Sequence, residues 1–186
     1  LRSYMMKIFE AQRLIRNGQL RPTQILKECL ERIEEHKDLN AFITLDIDGA
    51  MKEAKRQDEM LKTANLERLP LLFGIPIALK DLIYTKGMRT TAGSLFWKDF
   101  IPEEDAFIVR RLKRSGAIII GKTNMHEIAL GVTNNNPHFG PCRNPYDPTK
   151  VSGGSSGGSA VAVATGMALG AIGTDTGGSI RIPSAL

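Results

Sequence analysis

Cysteine is scarce in this chain: Cys29 and Cys142 stand far apart and form no CxxC pair. That argues against a disulfide framework or a zinc ribbon, so reduced thiols are expected. No uninterrupted apolar run approaches the roughly 18 residues that span a bilayer, and the stretch 160–172 is broken by Gly166 and Gly170. The opening Leu1-Arg2-Ser3-Tyr4 carries no signal-peptide apolar region, so a cytoplasmic address is expected and a membrane partner is not. The net charge is +5, but basic residues are interspersed with acidic ones, as in Lys27-Glu28 and Glu31-Arg32. Without a basic block, direct binding of nucleic acid is not expected. His126, His138 and Cys142 match no strong metal-ligand spacing, so no metal is expected. What remains, 42% hydrophobic and 24% charged residues over 186 positions, is the composition of a soluble globular chain with one respectable core.

Residues 1–65 read as a mainly helical N-terminal region. Ile8, Ala11, Leu14 and Ile15 share a helical face that Gly18 ends in a left-handed cap. Thr23 is placed to cap a second helix whose apolar positions are Ile25, Leu26, Cys29, Leu30 and Ile33. A strand over 41–45 and a polar, exposed helix over 50–64 follow. From residue 66 onward the texture changes to α/β alternation. Apolar runs at 75–79 and 117–120 read as strands, and Asp105 is placed to start a helix with the face Ala106, Val109 and Leu112. A helix over 158–165 and a strand over 168–172 close this part.

Two glycine-cradled serine clusters carry the strongest chemical signal: Gly153-Gly154-Ser155-Ser156-Gly157-Gly158-Ser159 and Gly173-Thr174-Asp175-Thr176-Gly177-Gly178-Ser179-Ile180-Arg181. Flanking glycines let a substrate approach the backbone without meeting a Cβ. Two familiar patterns also match here and fail on physical grounds. Residues 116–123 spell the phosphate loop G-x-x-x-x-G-K-T, yet their interior is one alanine and three isoleucines, which belong in a strand. A phosphate-loop nucleotide-binding protein is therefore a remote alternative. G-x-S-x-G fits around both Ser155 and Ser156, but the nucleophile elbow of an α/β-hydrolase needs a histidine downstream. His36, His126 and His138 all lie upstream.

A serine without histidine needs another base, and a lysine kept neutral by burial supplies one. Lys80 is the candidate, because it ends the apolar run 74–79 and precedes Asp81-Leu82-Ile83. Ser152, Ser156 and Ser159 read as turn and cap residues, Asp175 and Arg181 as a pair bracing the second loop, and Met125, Phe139 and Tyr146 as packing.

Gly74-Ile75-Pro76 running to Lys80-Asp81, Gly121-Lys122-Thr123-Asn124-Met125 with Glu127, Arg143-Asn144-Pro145 and both serine clusters together resemble the amidase signature family. The resemblance runs from about residue 70 to the last. It implies an α/β fold with a mixed central sheet covered by helices, of which residues 66–186 would be the N-terminal part, and it marks the chain as a fragment of a longer domain. It makes Ser179 the nucleophile, Ser155 the bridging serine after a cis peptide bond, and Lys80 the general base. The backbone amides of Thr176, Gly177, Gly178 and Ser179 would form the oxyanion hole, and no cofactor is implied. The expected activity is hydrolysis of a small-molecule carboxylic amide to acid and ammonia or amine through an acyl-enzyme. The alternative within the family is the glutaminase component of a tRNA-dependent amidotransferase, its A subunit, which would meet nucleic acid only indirectly. The resemblance leaves room for a homo-oligomer.

Overall fold

The computed structural model describes residues 6–186. Its elements are α1 (Ile8–Arg16), α2 (Pro22–Glu35), β1 (Phe42–Leu45), α3 (Ile47–Leu61), β2 (Pro76–Lys80), α4 (Phe107–Arg114), β3 (Ile118–Thr123), the short strands β4 (Asn135–Asn136) and β5 (Gly140–Pro141), α5 (Gly157–Ala164), β6 (Gly170–Ile172) and α6 (Arg181–Ala185). Among the described residues no helix is long and apolar enough to cross a membrane.

The main sheet has the order β1-β3-β2-β6. β3, β2 and β6 run parallel, and β1 joins β3 antiparallel. Parallel strands buried on both faces read as continuous apolar runs, which is why β2 and β3 carry no polar alternation and every residue of both is buried. The two strands do not stay in step. Ile77 pairs with Ile119, but Ala78 pairs with Gly121, so β3 carries one extra residue, and Lys80 ends opposite Thr123.

The extended backbone sends alternate side chains to opposite faces, and each face has its own cover. Ile77, Leu79 and Ile119 pack with Ala11 and Ile15 of α1 and Val109 and Leu112 of α4. Ala78, Ile118 and Ile120 pack with Leu26 and Cys29 of α2 and Ala50 and Ala54 of α3. A third cluster joins Val161 and Ala162 of α5 to Leu39, Ala41, Cys142 and Met167. Both cysteines are free and buried, and burial pushes each thiol up to about 12.

Helix ends show where local signals were overruled. α1 closes on Gly18 as expected, with Gly18 N donating to Ile15 O and Gln19 N to Leu14 O, the paired bonds of a Schellman cap. α4 closes the same way on Gly116, whose φ of 85° suits glycine. α2 begins one residue before Thr23, because Pro22 takes the first helical turn, where a missing N–H costs nothing. Thr23 instead binds Asp58 through its backbone N and hydroxyl. Asp105 does not start α4, which begins at Phe107. Its carboxylate is taken by Lys86 N and Lys113 Nζ, both at 2.8 Å. α3 starts at Ile47, three residues earlier than the polar pattern indicates, because Asp46 accepts from Gly49 N at 3.0 Å.

α5 is pressed against the main chain. A Cβ at Gly158 would stand 2.4 Å from Ala41 O, 2.5 Å from Asn124 O and 2.6 Å from Asn124 N. All three are backbone atoms, which cannot swing aside. Helix propensity alone favours alanine over glycine by about 1 kcal/mol, but overpacking costs about 1–3 kcal/mol or more. Gly158→Ala is therefore expected to destabilise the fold by about 2 kcal/mol, seen as a lowered midpoint in urea unfolding. A neutral or stabilising result would mean that α5 does not sit this close.

Candidate active site

The site forms at the C-terminal ends of β2 and β3, where α5 and the loops around Ser155 and Thr174 converge. The Gly154–Ser155 peptide bond is cis. Lys80 is fully buried, and its Nζ lies 2.7 Å from Ser155 Oγ and 2.8 Å from Thr174 Oγ1, donating to both. Burial pulls the amine down to about 8, against a smaller upward pull from the Asp175 carboxylate.

The remaining serines of the first cluster organise this contact. Ser156 stands at the N-terminal end of α5 without capping it. Its hydroxyl donates to Thr174 O at 3.2 Å and accepts from Thr174 N at 3.3 Å, so it clamps the residue that holds Lys80. Ser159 also caps nothing. It shares a hydrogen bond of 2.7 Å with Thr123 Oγ1 and donates to Ile172 O at 3.2 Å, tying α5 to β3 and β6. The hydroxyl of Ser152 donates to Gly153 O at 3.1 Å.

Ser179 is brought beside the cis serine through its backbone: Ser156 N donates to Ser179 O at 3.1 Å. Its hydroxyl makes no hydrogen bond among the described residues, and the residue is partly exposed. The loop before it is braced by Asp175, as the sequence suggests. Arg181 meets the carboxylate with Nε at 3.0 Å and an amino nitrogen at 2.9 Å. The amides of Gly178, Ile180 and Arg181 donate to it at 2.8, 3.1 and 3.1 Å. The guanidinium, then these amides, hold the Asp175 carboxyl well below the usual carboxylate range. Gly178 N–H is thus engaged by Asp175. The amides of Thr176, Gly177 and Ser179 carry no hydrogen bond among the described residues.

A second buried lysine lies on the neighbouring strand β3 but on the other face of the sheet. Lys122 Nζ donates to Ile83 O, to Thr90 Oγ1 at 2.8 Å and to Thr85 Oγ1 at 3.4 Å. Burial pulls it to about 8 as well, opposed by Asp81. Desolvation therefore does not distinguish the two amines; contact does, since Lys80 is the one that touches Ser155. The phosphate-loop pattern is accounted for too: its residues 118–123 are β3, and its lysine is turned into the protein.

Thr174 is the site residue that sequence reasoning missed. It lies inside the second motif, but nothing local distinguishes a threonine that holds an amine from one that fills a turn. Of the residues read as packing, Met125 is buried and Tyr146 is 68% exposed. His138 Nε2 lies 2.9 Å from Glu127 Oε1.

Comparison with known proteins agrees with this architecture. The Amidase family profile matches residues 24–186. The A subunit of glutamyl-tRNA(Gln) amidotransferase from an Exiguobacterium species is 51% identical over 173 residues, which is 92% of this chain and 35% of that protein. Its counterpart from Legionella pneumophila is 49% identical over 176 residues, 95% of this chain and 36% of that one. The chain thus spans little more than a third of the length of these curated relatives. Among solved structures, the native peptide amidase from Stenotrophomonas maltophilia has a TM-score of 0.89 at 39% identity, covering 99% of this chain and 39% of its own. A bacterial aryl acylamidase of the amidase signature family gives 0.91 at 30% identity, covering 97% and 38%. With a profile match over most of its length and this fold, the chain belongs to the amidase signature family.

Proposed function

We propose that the protein to which this chain belongs hydrolyses carboxylic amides in the cytoplasm through Lys80, Ser155 and Ser179. The carrying observation is the buried contact of 2.7 Å between Lys80 Nζ and Ser155 Oγ. A lysine is a base only when uncharged, and desolvation brings that state down toward about pH 8, far below the range of a solvated amine. Once the amine has lost its proton, the Ser155 hydroxyl becomes its donor and turns an acceptor lone pair toward Ser179, since a hydroxyl does both at once. Ser179 attacks the amide carbonyl while its proton passes through Ser155 to Lys80. The C–N bond breaks as the leaving nitrogen takes that proton, and water then cleaves the acyl-enzyme. Thr176, Gly177 and Ser179 supply the free amides for the oxyanion, with Gly178 held by Asp175 to shape the loop. Removing one such donor costs roughly 3 kcal/mol in other enzymes.

A second reading shares this chemistry. Relatives at 51% and 49% identity carry the name of the glutamyl-tRNA(Gln) amidotransferase A subunit, and in that role the triad would release ammonia from glutamine for a partner protein. The stretch His126-Glu127-Ile128-Ala129-Leu130-Gly131 with Asn136-Pro137-His138-Phe139-Gly140 looks more like the hydrolytic amidases. Ammonia release from simple carboxamides, unstimulated by tRNA, separates the two; turnover of glutamine alone, and only with tRNA and partners, would establish the second.

In the intact protein, Ser179→Ala and Lys80→Ala are each expected to lower kcat by about 10³-fold or more, and full turnover in either would overturn these roles. Thr174→Val keeps the shape but removes one partner of the amine. A loss of about tenfold in kcat, the equivalent of one hydrogen bond of about 1.4 kcal/mol, is expected. Because the neutral amine is the active form, kcat/KM should be low in acid and rise to a plateau, half-maximal near pH 8. A profile flat from pH 6 to 9 would exclude Lys80 as the base.

A further inference from the structure

Asp81 follows the proposed base directly, is fully buried, and has no part in the chemistry above. Its contacts lead elsewhere. Oδ2 accepts from Thr91 N at 3.0 Å and from the Thr91 hydroxyl, and Thr91 Oγ1 in turn accepts from Gly93 N at 3.1 Å. The Asp81 carbonyl accepts from Ala92 N at 2.9 Å. One aspartate thus seats the turn 91–93, in which Ala92 has φ 52° and Gly93 has φ 68°.

That turn carries a second one. Ala92 O accepts from Ile128 N at 2.8 Å. Gly93 O accepts from Asn136 Nδ2 at 2.7 Å, and the same nitrogen donates to Met125 O at 2.9 Å. Ile128 and Ala129 lie at φ 45° and 61°, and a left-handed β-branched residue is an outlier that persists only where its surroundings fix it. Ala129 N closes this turn on His126 O at 3.0 Å, and His126 N donates to Ser155 O at 3.1 Å. Asp81 makes no ion pair with Lys122 among the described residues; its carboxylate is held by Thr91 and by the backbone of Gly93.

We infer that Asp81 is a positioning residue for Ser155, acting through the 91–93 turn and the 126–129 turn that grips the serine's carbonyl. The role in turnover rests on the amidase reading; the brace itself does not. Lys80 and Asp81 point to opposite faces of β2, so consecutive residues set the two sides of one contact, the amine directly and the hydroxyl through the loop.

The test is hydrogen exchange at the amides of His126 and Ile128, with Ala78 in β2 as internal reference. Asp81→Ala should speed exchange at both by tenfold or more relative to Ala78. Thr91→Val, which keeps the aspartate and the side-chain shape, should do the same and decides the matter if Asp81→Ala fails to fold. Asp81→Asn still offers Thr91 an acceptor and should stay within threefold of the parent. Leu26→Ala, a destabilising change in the core, should not single out these two amides. In the intact enzyme, Asp81→Ala and Thr91→Val should lower kcat about tenfold at unchanged KM. Unaltered protection at His126 and Ile128, or equal loosening by Leu26→Ala, overturns the brace. Faster exchange with unchanged kcat overturns the positioning role. Exchange is read whether or not the protein turns over amides, so failure of the amidase reading would show separately, as absent hydrolysis by the parent enzyme.

Discussion

An amine taken out of water must either lose its charge or find acceptors, and the site is built around that constraint. At Lys80 the acceptors are two hydroxyls, Ser155 and Thr174. Neither compensates the ammonium as a carboxylate would, so desolvation prevails over the distant pull of Asp175. The neighbouring features follow from holding those hydroxyls in place: the two-way clamp of Ser156 on Thr174, and the glycine that lets α5 settle on the backbone of residues 41 and 124.

Much of this was legible in the residues because it is local. Glycine around serine, an apolar run ending in lysine, and three isoleucines inside a phosphate-loop pattern each point to their structure within a few positions. What escaped reading depends on distant partners. Thr23 loses its capping role to a proline before it and an aspartate 35 positions later. α3 reads as polar, yet Ala50 and Ala54 make a narrow stripe that packs on the sheet, and alanine carries little periodic signal. Thr174 becomes informative only when β2 brings Lys80 to it across 94 positions.

The sheet end divides its duties by face. On one side the Lys80 amine meets only two hydroxyls, near a serine whose own hydroxyl makes no hydrogen bond among the described residues. On the other, Lys122 and Asp81 are committed to threonines and a carbonyl, where they fasten the loop over 83–93. Ionisable groups with similar burial thus serve different ends, and their hydrogen-bond partners tell them apart.

The extra residue in β3 explains how two such amines coexist. Had β2 and β3 kept the pairing of Ile77 with Ile119, Lys80 would have come level with Lys122, side by side at the strand spacing of about 4.8 Å. Each would then have repelled the other's proton, and one pocket would have had to house both chains. The single skipped position rotates them apart, so that a local irregularity of the ladder insulates the amine of Lys80 from its twin.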